Sequence, residues 1–231
     1  MRIYRRLLAA RGHAGWWPGA DALEVCVGAV LVQNTAWANA EKALAVLRQR
    51  GLLTFAKLRA LPAEALAPLI RSSGCFNVKA RRLRALLAFL DAFGGRPEAM
   101  AGEDLGDVRR RLLAVPGIGP ETADSILLYA AGRPVFVVDA YTRRVFGRLG
   151  LLRGGESYDA VQAAFMRNLP PRADLFNDFH AQIVLLAKDF CRPRPLCPAC
   201  PLGDLCPRRG VARDARMKRS SLGGATVSTG T

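Results

Sequence analysis

Leu113-Ala114-Val115-Pro116-Gly117-Ile118-Gly119-Pro120-Glu121-Thr122-Ala123-Asp124 sets two glycines, one residue apart, between an apolar run and a second one, Ser125-Ile126-Leu127-Leu128-Tyr129-Ala130. Such a pattern predicts two helices joined by a tight turn, because glycine supplies the backbone freedom the turn needs. Pro120 suits a first helical position, and the outward amides at that helix start can hold a phosphate oxygen. This is a helix-hairpin-helix reading. On Gly-x-Gly alone an ordinary helix-helix connection is the commoner explanation, so the rest of the chain has to decide.

The chain has 231 residues, 51% of them apolar, and a formal net charge of +15. That is enough for one large domain or two modest ones, and two lobes are expected. A folded protein with so positive a surface has nucleic acid as its leading partner class. Arginine carries most of the charge, since the lysines are only Lys42, Lys57, Lys79, Lys188 and Lys218. No run approaches the roughly 20 apolar residues that span a bilayer. The start of the chain lacks a signal-peptide core, so a cytoplasmic, nucleoid-associated protein without membrane contact is expected.

Taken in order, Ile3 to Leu8 reads as a short amphipathic helix, and Trp16-Trp17-Pro18-Gly19 as a loop whose tryptophans need a surface to cover. From Ala22 the pattern is helical and apolar nearly all round, which predicts a buried central helix ending at Gln33-Asn34-Thr35. Trp37 to Gln49 reads as a second helix, and residues 54–60, 63–72 and 77–93 continue in helical periods. Lys79, Arg81, Arg82 and Arg84 lie opposite Leu83, Leu86, Leu87 and Leu90, a basic face usually no more than solvated. Val135-Phe136-Val137-Val138 has the composition of a strand, but its isolation favours an extended connector. Asp139 then stands where a helix N-cap belongs, and residues 157–168 and 174–190 are further helices. The segment 208–231, basic and then rich in Ser, Gly and Thr, is expected to be largely disordered.

Six cysteines divide unevenly: Cys26 and Cys75 stand alone, while Cys191, Cys197, Cys200 and Cys206 crowd together. Four thiols on a proline-rich loop too short for its own core argue for a metal centre. Zinc usually takes two Cys-x2-Cys knuckles and this loop has one, whereas a 4Fe-4S cube accepts wider outer spacing. Spacing alone leaves both open.

Pro116-Gly117-Ile118-Gly119, Val137-Val138-Asp139, Gln33-Asn34-Thr35 after the buried helix, Gly74-Cys75-Phe76-Asn77-Val78-Lys79-Ala80 and the cysteine loop occur together and in order. In that combination, over roughly residues 1–207, the chain resembles the endonuclease III superfamily of DNA glycosylases. The resemblance implies an all-α fold of two helical lobes with a DNA cleft between them. One lobe would be a six-helix barrel, 22–133, carrying the hairpin at 112–130; the other, 1–21 with 134–207, would hold one 4Fe-4S cluster on the loop 191–206. It further implies a monomer that excises damaged bases from double-stranded DNA.

The same resemblance implies site residues. Asp139 would be catalytic, offsetting charge on the sugar and orienting water. Gln33 and Asn77 would enter the duplex around the flipped nucleotide, and Trp37 and Tyr141 would line the base pocket, Tyr141 standing where endonuclease III has histidine. Gly117, Gly119 and Thr122 would hold phosphate, with a monovalent cation a possible ligand of the turn carbonyls. Cys191, Cys197, Cys200 and Cys206 would ligate the cluster, although the family pattern has one more residue between the first two. A second departure concerns Glu121: bifunctional members have a lysine here whose amine attacks the sugar, and a carboxylate forms no imine. No lysine lies within forty residues of Glu121 in sequence. A monofunctional N-glycosylase of the alkylated-purine type, without AP lyase activity, is therefore expected, with Glu121 touching base or water and His180 structural. The alternatives are a bifunctional glycosylase acting on oxidised pyrimidines, and a catalytically silent iron-sulfur or zinc DNA-binding protein.

Overall fold

Asp21 starts the central helix α2 (Ala22–Leu31) by accepting a hydrogen bond from the Glu24 amide at 2.8 Å. In the computed structural model, which describes residues 1–15 and 19–211, α2 is buried along almost its whole length. Glu24, only 4% exposed, is paired with Arg48 at 2.6 Å, which ties α2 to α3 (Trp37–Gln49). Around α2 pack α6 (Phe76–Leu90) and α8 (Pro120–Ser125), and α7 (Leu105–Leu113) packs on α8 as the other half of the hairpin. The short helices α4 (Phe55–Ala60) and α5 (Ala63–Leu69) lie against α6 and α3. Helix α8 runs on without a break into a wider π-helical turn, Ile126–Ala130, that packs on α2.

A second set of helices assembles on α11 (Ala173–Asp189), which is met by α1 (Arg2–Arg11) and α9 (Ala140–Arg148), with α10 (Tyr158–Asn168) beside them. The Tyr4 hydroxyl donates to Asp178 at 2.8 Å and the Ala14 amide to the same carboxylate at 2.7 Å, so the N-terminal segment is fastened to α11. The fold is all-helical, and no strand occurs among the described residues.

Val135–Val138 is the extended connector expected, and all four residues are buried. A buried extended segment needs partners for its backbone, and without a neighbouring strand side chains must supply them. Gln162 donates to the Phe136 carbonyl at 2.7 Å, and the Val138 amide donates to the Tyr158 hydroxyl at 3.3 Å. The Phe136 ring stacks on Phe165 at 4.0 Å. Asp124, fully buried, accepts from Arg109 at 2.7 Å and from Gln162 at 2.6 Å, linking α7, α8 and α10.

The structure revises several sequence expectations. The period read over 77–93 divides into α6 and a 3-10 turn at Asp91–Phe93, and the period over 63–72 into α5 and a 3-10 turn at Arg71–Ser73. Lys79 is not on a solvated face: it is 3% exposed and donates to the carbonyls of Leu31 at 2.8 Å and Ser73 at 2.6 Å. The end of α2 leaves carbonyls unpaired, and a buried ammonium answers them. Of the tail, Arg208–Val211 is tied back, the Arg209 amide donating to the Arg148 carbonyl at 3.1 Å. The expectations for Trp16, Trp17 and the chain beyond 211 lie outside the described residues.

Candidate active site

A cleft of about 850 Å³ opens where the α2, α3 and α8 ends face α9 and α11. Gln33, Trp37, Gly117, Gly119, Glu121, Thr122, Asp139 and Tyr141, dispersed in sequence, all line it. Asn77 does not: it is exposed in the first turn of α6, beside the exposed Val78. Arg82, His180 and Lys188 also line the cleft, and sequence reasoning placed none of them there.

Asp139 caps α9, its Oδ1 accepting from the Thr142 amide at 2.6 Å. Oδ2 lies 3.5 Å from Nε2 of His180. Burial alone would raise this carboxyl, but the opposing His180 and Thr142 interactions outweigh it and hold the group below the usual carboxylate range. Glu121, in the first turn of α8, goes the other way: burial raises it, and the nearby Asp139 charge raises it further. Two carboxyls of one cleft are thus pushed apart in acidity.

Gln33 is held on the hairpin. Its amide donates to the Gly117 carbonyl at 3.1 Å and to the Thr122 hydroxyl at 2.9 Å, while its oxygen accepts from Arg82 at 2.6 Å. Thr122 is buried, and its hydroxyl is engaged by this contact. Gly117 has φ +84, and a Cβ there would sit 2.4 Å from the Arg82 side chain. Gly119 has φ −90 and open space where a Cβ would stand. No intramolecular demand for glycine is visible at that position, which leaves room for close approach from outside. Trp37 lies against α2, close enough that a Cβ on Gly28 would touch its ring at 3.4 Å. Tyr141 is half-buried, with the Arg144 guanidinium 5.1 Å from its ring centre.

Cys191, Cys197, Cys200 and Cys206 line one further cavity together with Arg148 and Phe190. The loop is clamped from α9: Arg144 donates to the Cys191 carbonyl at 2.8 Å, and Arg148 approaches the Cys191 sulfur at 3.4 Å and the Arg192 carbonyl at 2.6 Å. Burial raises the Cys200 thiol, and the three other thiols add to it, as expected when they face one space. Among the described residues no three His, Cys, Asp or Glu side chains converge tightly enough for one metal ion. A single zinc draws its sulfurs to about 2.3 Å from one point. A cube spreads four thiolates over four irons, and a cavity ringed by four cysteines fits that donor set.

Fold, hairpin and capped aspartate together define a helix-hairpin-helix DNA repair protein. Residues 27–171 match the HhH-GPD superfamily of base excision DNA repair proteins, and the chain belongs to that superfamily. A Methanocaldococcus jannaschii protein assigned as a DNA repair glycosylase is 43% identical over 89% of this chain and 94% of its own. Endonuclease III of Bacillus subtilis is 30% identical over 68% of each chain. Among solved structures, the chain is similar to Helicobacter pylori 3-methyladenine DNA glycosylase bound to 1,N6-ethenoadenine, with 32% identity and a TM-score of 0.68 over 81% of this chain and 96% of that one. It is also similar to a non-covalent endonuclease III-DNA complex, with 27% identity and a TM-score of 0.75 over 90% and 93%. The chain is accordingly a DNA glycosylase of base excision repair.

Proposed function

We propose that this glycosylase is monofunctional and acts on alkylated purines, releasing the base without cutting the strand. The observation that carries the reading is the pair of carboxyls, Asp139 and Glu121, that share the cleft wall with no amine on the hairpin, Asp139 held below the usual carboxylate range and Glu121 raised by burial and the Asp139 charge. A base must leave the stack before its glycosidic bond can be reached. As the C1′–N bond breaks, the electron pair leaves with the base and the sugar becomes oxocarbenium-like. Asp139 offsets that charge and takes a proton from the water that adds to C1′. A base alkylated at a ring nitrogen is already cationic and leaves neutral, so it needs little acid help. Glu121, on the wall of the same cleft, is placed to hydrogen-bond the base or the water. Trp37 and Tyr141 offer ring faces that favour a cationic base. The similarity to a structure named as a 3-methyladenine glycosylase supports the same substrate class.

The hairpin amides around Gly117 and Gly119 would hold a phosphate, and Gln33, released from Gly117 and Arg82, would fill the gap left by the flipped nucleotide, with Asn77 on the opposite side of the insertion. A monovalent cation on the turn carbonyls would compete for the Gly117 oxygen with Gln33. Residues 22–133 form the barrel lobe on this reading, and 1–21 with 134–207 the lobe of the cluster. Cys191, Cys197, Cys200 and Cys206 would hold one 4Fe-4S cluster, which supplies a structural crosslink for a loop with no core of its own.

One observation favours a second reading. Lys188 lines the same cleft, so an amine is present even though the hairpin lacks one. Excision from duplexes carrying 3-methyladenine, thymine glycol or a mismatch, with and without borohydride, separates the two. The expected result is release of 3-methyladenine with no trapped protein-DNA adduct, and a loss of about 100- to 10,000-fold in Asp139→Asn. A trapped adduct overturns the monofunctional reading, and excision confined to thymine glycol overturns the substrate class. Failure of the wild-type protein to excise any of the three returns it to the silent DNA-binding alternative.

A further inference from the structure

Asp139 is approached on its second oxygen by a group that no sequence motif announces. His180, in the middle of α11, is 5% exposed, and its Nε2 is a buried nitrogen without a hydrogen-bond partner of full geometry, 3.5 Å from Asp139 Oδ2. The other ring nitrogen, Nδ1, is 2.5 Å from the Tyr129 hydroxyl, on the π-helical turn. Three elements therefore bring a phenol, an imidazole and a carboxylate into one line. The ring is closed off on its side by Phe136, edge-on at 6.4 Å, and a further charged group within its reach is Glu121 on α8. Further along α11, Lys188 reaches the same cleft.

Proton positions follow from the phenol. Burial, with Asp139 and Glu121 adding their charge, keeps the Tyr129 hydroxyl protonated far above ordinary pH. A neutral phenol has one hydrogen to donate and an oxygen that can accept; the assignment is that it donates to Nδ1, which lies within reach. In a neutral ring the remaining hydrogen then sits on Nε2, facing Asp139. At 3.5 Å this last contact is longer than a formed N–H···O bond, as contacts at reacting groups often are before substrate binds.

We propose that Tyr129 and His180 are positioning residues for Asp139: the Tyr129 hydroxyl fixes His180 as the Nε2–H tautomer, and that N–H orients Oδ2 of Asp139 towards the sugar and the attacking water. The proposal rests on Asp139 being the reacting carboxylate, whereas the tautomer itself does not. The order phenol, imidazole, carboxylate inverts the role of the ring in a hydrolase triad, where it moves the proton. Here the ring moves none and holds the carboxylate that does.

Two measurements test it. The chain has only two histidines, so in ¹⁵N-histidine protein carrying His13→Gln the ring spectrum belongs to His180. The neutral ring is expected as the Nε2–H tautomer, changing to a mixture in Tyr129→Phe. A dominant Nδ1–H tautomer, or a ring indifferent to Tyr129→Phe, overturns the relay. In single-turnover excision of 3-methyladenine, Tyr129→Phe is expected to be slower by about 10-fold and His180→Leu by about 100-fold, with duplex affinity unchanged. His180→Gln, which sets an amide nitrogen near the place of Nε2, should recover about 10-fold over His180→Leu. Equal losses in the Gln and Leu variants, following their melting temperatures, mean a packing role only. Should the wild-type protein excise nothing, the functional reading fails, and the ring spectrum still decides the tautomer.

Discussion

Glu121 and Asp139 show how one cleft treats the same functional group in two ways, and their shifts have opposite consequences for stability. Asp139 is lowered, so its contribution is present above the ordinary carboxyl range and is lost as pH falls through its folded value. Glu121 is raised, so the folded state keeps a proton that the unfolded chain has released; stability falls as pH rises from the ordinary carboxyl range through the folded value. Melting curves of the wild-type protein and Glu121→Gln should converge near pH 4 and separate towards pH 8, with the glutamine variant higher. A constant difference across that range would show that the site does not perturb Glu121. The N-cap at Asp139 could be read from the sequence because capping is local, an acid before a helical period. His180 could not, since its partners stand 41 and 51 positions away and a lone histidine on an apolar helix has no pattern.

Elements explain why neighbouring glycines in the hairpin differ. Gly117 adopts a left-handed conformation and is covered by Arg82, so Gly117→Ala combines backbone strain of about 1–2 kcal/mol with a displaced arginine and should lower the melting temperature. Gly119→Ala faces neither demand. It should melt like the wild-type protein and bind duplex more weakly, with about one phosphate contact fewer in the salt dependence. Loss of stability at Gly119 with unchanged DNA affinity would mean that this glycine serves the fold instead. Lys79→Met leaves two buried carbonyls unanswered and should cost about 2–4 kcal/mol in denaturant unfolding. At this scale the sequence was largely legible. Asp21, Asp104, Asp139 and Ser157 each accept a bond from a first-turn amide and mark real helix starts. Lys79 and Arg82 were hidden for a physical reason: on a helix that is apolar on one side, a cation at the margin looks the same whether it meets water or another element's carbonyls.

Across the whole molecule, positive charge and the cysteine loop have separate tasks. A net charge of +15 favours any duplex, and its contribution should weaken steeply with salt whatever the lesion. The cysteine loop is joined to α9 through Arg144 and Arg148, while Arg144 also lies over Tyr141 at the cleft. If four thiolates hold a 4Fe-4S cluster, purified protein absorbs near 400 nm. Removal of iron should then expose residues 191–211 to protease before the helices around α2 unfold. Colourless protein containing stoichiometric zinc would overturn the iron-sulfur assignment. Composition pointed to nucleic acid and spacing to a metal, but the clamp by Arg144 and Arg148 joins residues more than forty positions apart and appears only in the fold.

The π-helical turn Ile126–Ala130 carries a further consequence. Each residue of an α-helix advances the side-chain direction by about 100°, and a π turn takes up one residue more than an α turn does. The bearing of Tyr129 towards His180 is therefore set by a count of residues as much as by a side chain. A relative with one residue fewer between Asp124 and Arg133 could keep every side chain named here and still aim its tyrosine away from the histidine. Such a protein would have to order its aspartate by another route.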